Sequence, residues 1–115
     1  MPQSILIVER HREVAEALEQ VIASADHAPI VRSHMDGLDE IHPTPAVIVL
    51  RIVFEGGCEP LHACVERLPK QRPPIIAIVR EDEEASEAER IKCDVVLRAP
   101  HELRRLREAI AALTR

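Results

Sequence analysis

The sequence predicts an α/β fold: five parallel strands in one sheet, with helices on both faces. Three observations carry this. Apolar runs without polar alternation recur along the chain, as expected of strands covered on both sides. Segments of helical spacing separate them, which argues for right-handed crossovers and a parallel sheet. With one Phe and no Tyr or Trp, the core must be built from Val, Ile, Leu and Ala, a composition suited to buried parallel strands.

The first strand is residues 4–8, ending abruptly in the charged stretch from Glu9 to Glu13. A helix follows, with Val14, Ala17, Leu18, Val21 and Ala25 recurring at helical spacing. Residues 29–32 are a weak second strand and residues 37–41 a very short second helix, closed by Pro43 and Pro45. Residues 46–52 are the third strand, apolar except for Arg51. At the carboxyl end of such a strand a side chain leaves the packed layer and enters the crevice where open α/β sheets place their sites.

Gly56 and Gly57 then permit a loop, and residues 59–68 read as a third helix that stops at Pro69. The fourth strand, residues 73–79, carries its prolines at the start, where no ladder donor is lost. Residues 81–90 are polar with only Ala85, Ala88 and Ile91 to bury, which predicts a marginal fourth helix. Residues 94–98 form the fifth strand. Pro100 opens the last helix, whose apolar stripe is Leu103, Leu106, Ile110 and Leu113.

A chain of 115 residues fits one domain, spanning 1–115, with a single core. A net charge of −5 gives no global basic footprint for nucleic acid. Residues 1–4 carry no basic leader, and no apolar stretch reaches membrane-spanning length, so the expectation is a cytoplasmic protein without membrane contact. Cys58, Cys64 and Cys93 lack CxxC spacing and are expected to be thiols, Cys64 on the apolar stripe of the third helix. His11, His27, His34, His42, His62 and His101 show no repeated ligand spacing. No Ser-His-Asp order, Gly-rich phosphate loop or H-E-x-x-H pattern occurs, so neither an enzyme nor a metal or cofactor is expected.

The strand at Ile5 to Val8, the strand at Val47 to Leu50 with Arg51 directly after it, the run Pro74 to Ile78 and the Pro100 that follows strand five resemble the receiver domain of two-component response regulators. That resemblance covers nearly the whole chain and implies the flavodoxin-like, CheY-like fold, with a cis bond at Ala99-Pro100. It also implies where phosphorylation chemistry would stand, and those positions are changed. Of two metal-holding acids after strand one, Glu9 is retained and Arg10 replaces the other. The phosphoryl-accepting aspartate falls on Arg51, the hydroxyl residue on Val79, the aromatic switch residue on Val96 and the lysine on Ala99. Arginine offers no oxygen nucleophile and opposes a hard divalent cation. The segment between Val79 and Val96 is also shorter than usual, and Lys92 stands where a glycine commonly ends the fourth helix.

The resemblance therefore implies a pseudo-receiver that signals through protein contacts, alone or fused to an output domain in a longer parent. Helix four is acidic, with Glu83, Glu84 and Glu87 among its charges, and helix five carries Arg104, Arg105 and Arg107. With strand five these form the face on which a protein partner or second copy is expected. A second reading uses Arg10, Arg51, Arg80 and Arg98, each at or just past a strand end, as a basic edge that holds an oxyanion or nucleotide. Against it stands the plainer expectation that Arg51 pairs with Glu9 or Glu55.

Overall fold

The computed structural model describes residues 3–33, 41, 44–54 and 72–114. Within them the chain runs β1 (Ser4–Val8), α1 (Arg12–Ser24), β2 (Ala28–Arg32), β3 (Val47–Arg51), β4 (Ile75–Val79), α2 (Asp82–Arg90) and β5 (Val95–Arg98). A 3₁₀ turn (His101–Arg105) then leads into α3 (Leu106–Leu113). All four strand pairings are parallel, in the order β2-β1-β3-β4-β5. This is the flavodoxin-like order. The predicted second and third helices lie outside the described residues, except for Ile41, a buried bend. Cys58, Cys64, Glu55 and the paired glycines also lie outside them.

Strand alternation divides the core in two. Ile5, Ile7, Val47, Val49, Ile76 and Ile78 face α1 and α3, meeting Leu18, Ile22, Leu106 and Ile110. Leu6, Val8, Ile48, Leu50, Ile75, Ala77 and Val79 face the other layer, where Ala88 and Ile91 of the α2 segment pack with Ile41 and Ile52. Each fully buried aliphatic side chain contributes about 1.5–3 kcal/mol, so β1, β3 and β4, buried almost throughout, hold most of the apolar stabilisation.

Strand positions match the sequence expectations to within two residues. Pro73 and Pro74 precede the fourth strand's ladder, yet the Pro74 carbonyl still accepts the Ile48 N–H at 2.9 Å. Helix α1 is turned relative to expectation: Ala15, Leu18 and Ile22 are its buried line, Val14 and Val21 flank it, and Ala17 is exposed. The 3.6-residue period fits either line, and packing against the sheet selects the one through Leu18 and Ile22. The last helix does not begin at Pro100, because the chain first makes the 3₁₀ turn; the Ala99-Pro100 bond is cis.

Both α1 and α2 stop in the same way. After α2, the Lys92 N–H donates to the Glu89 carbonyl and the Cys93 N–H to the Ala88 carbonyl, each at 3.0 Å. After α1, Asp26 and His27 donate likewise to Ala23 and Ile22. These are Schellman stops, which need a left-handed residue, here Asp26 (φ 63°) and Lys92 (φ 60°). Arg72 reinforces the second stop, with Nη2 donating to the Ile91 and Lys92 carbonyls at 3.0 and 3.1 Å.

Strands β2 and β5 are the sheet's edges. In β2, Ala28 donates to Gln3 and the Arg32 carbonyl accepts from Glu9, so Pro29 and Val31 are the residues turned away from β1. The Val31 carbonyl accepts Nη1 of Arg32 at 2.9 Å.

Candidate functional site at the carboxyl edge of the sheet

The ends of β1, β3, β4 and β5 bring Glu9, Arg51, Arg80 and Arg98 to one edge. Arg51 aligns with Ile78, and Val79 with Arg98, in the register of neighbouring strands. A carboxylate ties each of three of these ends to the element that follows. Glu9 Oε1 accepts the His11 N–H at 2.9 Å just before α1. Glu84 Oε1 accepts the Arg80 N–H at 2.7 Å and that of Glu81 at 3.4 Å at the start of α2. Glu102 Oε1 accepts the Arg98 N–H at 2.8 Å.

Arg51 sits where its strand end requires, half-buried, and its Nη1 lies 3.5 Å from Glu9 Oε2. The Glu9 side chain is 1% exposed and that of Arg51 15%. A carboxylate so deeply buried needs a cation or strong donors, and Arg51 and the His11 N–H supply them. Of the two partners expected for Arg51, Glu9 is the one found; Glu55 lies outside the described residues.

The four edge arginines do not converge. Arg51 and Arg80 line one cleft of about 340 Å³ together with His11, Arg12, Glu13 and Val14. Arg10 turns to the other side of α1, into a cleft lined also by Glu9, Arg12, Val31 and Ser33. Arg98 reaches back to α2, its Nη2 2.7 Å from Asp82 Oδ1 in an exposed pair. The sequence reading missed Arg12 and His11. The signal available was the two-residue step from Glu9 to His11, which lets the carboxylate hold the turn and starts the helix at Arg12.

At the remaining positions of the resemblance, Val79 is buried, and Val96 and Ala99 are half-buried in opposite layers. They offer neither hydroxyl nor ammonium. Among the described residues no three His, Cys, Asp or Glu side chains cluster as metal ligands, and no helix is long and apolar enough to cross a membrane.

On the face built by α2, β5 and the segment after Pro100, several charges are engaged within the chain. Glu87 pairs with Arg90, and Arg105 Nη1 lies 3.5 Å from Glu102. Glu84 holds backbone N–H groups, and Arg107 Nη2 donates to the Ser24 carbonyl at 3.3 Å. Glu83 and Arg104 are exposed. Cys93 is half-buried beneath this side; burial pushes its thiol from 9.0 up to about 11, with Arg72 opposing and Asp94 adding to the shift.

No protein-family model and no curated protein matches the chain. Solved structures do. NtrX from Brucella abortus aligns with 99% of this chain at 21% identity and a TM-score of 0.81, the chain spanning 27% of that protein's length. A response regulator receiver domain protein from Clostridium thermocellum aligns at 12% identity and a TM-score of 0.81, covering 97% of this chain and 94% of its own. A CheY-like receiver domain from Methylobacillus flagellatus aligns at 18% identity and a TM-score of 0.72, covering 98% and 99%. The class these likenesses and the strand order define is the CheY-like receiver fold.

Proposed function

We propose that the chain is a pseudo-receiver, a module of response-regulator type that takes no phosphoryl group at residue 51 and signals through protein contacts. The observation that carries this reading is the Arg51–Glu9 pair. A guanidinium occupies the end of β3, where receivers carry their carboxylate nucleophile, and it pairs with Glu9, the acid retained from the two that hold the metal in that family. The docking surface in this reading is the α2–β5–α3 face, with Glu83, Glu84, Glu87, Arg104, Arg105 and Arg107 supplying charge for a protein partner or a second copy. An output domain in a longer parent fits the same reading, as does a cytoplasmic location, and neither nucleic-acid contact nor catalysis belongs to it.

Incubation with acetyl phosphate and Mg²⁺, followed by intact mass, tests the central point. The expected mass is unchanged, and Arg51→Asp alone remains a poor acceptor because Val79 and Ala99 still lack the hydroxyl and the ammonium. Stoichiometric acid-labile phosphate on the unaltered chain would sink the reading.

A further inference from the structure

We propose that the cleft lined by Arg12, Arg51 and Arg80 is a reversible binding site for a small phosphate-type oxyanion, either inorganic phosphate or a compact phosphate monoester. Three arginines, from the first turn of α1, the end of β3 and the turn after β4, line this one cleft, with His11, Glu13 and Val14 beside them. Each guanidinium carries five N–H donors. Arg51 spends one on Glu9 at the long distance of 3.5 Å. Arg12 gives its Nε to Glu16 in an exposed pair, a contact that contributes little and yields readily to a better acceptor. The Arg80 side chain is exposed and donates to no acceptor among the described residues.

The donor set selects the ligand. Glu9 balances Arg51, Glu16 balances Arg12 and Glu13 lies with Arg80 in the lining, so these groups sum to no net charge and recognition rests on the guanidinium N–H donors that remain unspent. The first turn of α1, residues 12–14, also lines it, and the His11 side chain makes no capping hydrogen bond there, so the positive end of the helix dipole lies at the cleft, beside the Glu9 carboxylate that holds the His11 N–H. Guanidinium forks match the spread oxygens of a phosphate. A nucleotide base is disfavoured, because among the described residues Val14 is the only apolar side chain in the lining and no aromatic ring is there to stack on. A volume of about 340 Å³ holds the phosphate and the first atoms of an ester group.

The inference is independent of the docking face. It also differs from phosphoryl transfer in its observable, because reversible binding leaves the protein mass unchanged. The test is an NMR titration of the intact chain with inorganic phosphate and, separately, with glycerol phosphate, at ionic strength held constant with chloride. Saturable amide shifts at Glu13, Val14, Arg51 and Arg80 are expected at millimolar ligand, with Arg80→Gln weakening binding about tenfold, as for loss of one charge-assisted hydrogen bond. Equal affinity for the two ligands assigns recognition to the phosphate group, and tighter glycerol phosphate binding adds a contact to the ester; both support the site. Absence of saturable shifts with either ligand, or an unchanged affinity in Arg80→Gln, would overturn it.

Discussion

Replacing Arg51 with methionine should cost about 3 kcal/mol in urea unfolding, because the Glu9 carboxylate would stay buried with only the His11 N–H to answer it. Adding Glu9→Met to that variant should return most of the loss, since a matched apolar pair leaves no stranded charge. A double variant no more stable than Arg51→Met would mean that Glu9 is solvated and that the pair has little structural role. Cys93 supplies a second measurement at the same scale. Its folded value of about 11 lies above the ordinary 9.0, so the folded state holds the proton more tightly than the unfolded one. The resulting stabilisation is complete below about pH 9 and is lost as pH rises toward 11. Thermal melts across that window should therefore fall more steeply for the native chain than for Cys93→Ala, and equal slopes would contradict the burial argument. The pairing of Arg51 with Glu9 was legible in the sequence, because both end neighbouring strands and a buried arginine needs an acid. The destination of Arg10 was not, since one further residue past the strand end lets the turn into α1 carry its side chain to the opposite side of that helix.

Among the elements, α2 is the one most dependent on its ends. Of its nine residues only Ala88 is fully buried, so the three acids in its first turn, the Glu84 contacts and the Arg72 contacts at the last carbonyls matter more than its propensity. Lys92 weakens that arrangement, because a residue with a Cβ resists the left-handed conformation the stop requires. Lys92→Gly should raise stability by about 1 kcal/mol, seen as a higher melting temperature with unaltered far-UV dichroism. A lower melting temperature would show that the lysine stem packs in a way that outweighs its backbone strain. The strands were legible because continuous apolar runs bounded by charge or proline have few alternatives. The rotation of α1 was harder to read, since Val14, Ala15, Ala17, Leu18, Val21 and Ile22 are all apolar and two faces compete until the sheet selects one. For the 3₁₀ start after Pro100, spacing offers no signal: Leu103 and Leu106 are three apart, which suits either helix type.

For the molecule as a whole, the parallel sheet was readable from five alternating units and its strand order only through the resemblance to receivers, whereas its assembly was not. Between two copies the exposed Glu83 of α2 and Arg104 after Pro100 can meet directly, while other charges on this face would exchange partners with in-chain pairs such as Arg98–Asp82 and Arg105–Glu102. Exposed pairs of this kind exchange at small cost, and salt screens them. Sedimentation should therefore show association at low ionic strength that weakens as salt rises. A monomer under both conditions would leave the face to a different protein. The outer side of β2 limits the other way copies could join. Within that strand, Pro29 brings no N–H to the outward side, and the outward Val31 carbonyl is already taken by the Arg32 guanidinium. An incoming extended segment would find the Pro29 carbonyl, the Val31 N–H and a charged gate instead of a full ladder, so β-strand addition and the open-ended polymers it produces are discouraged along this edge.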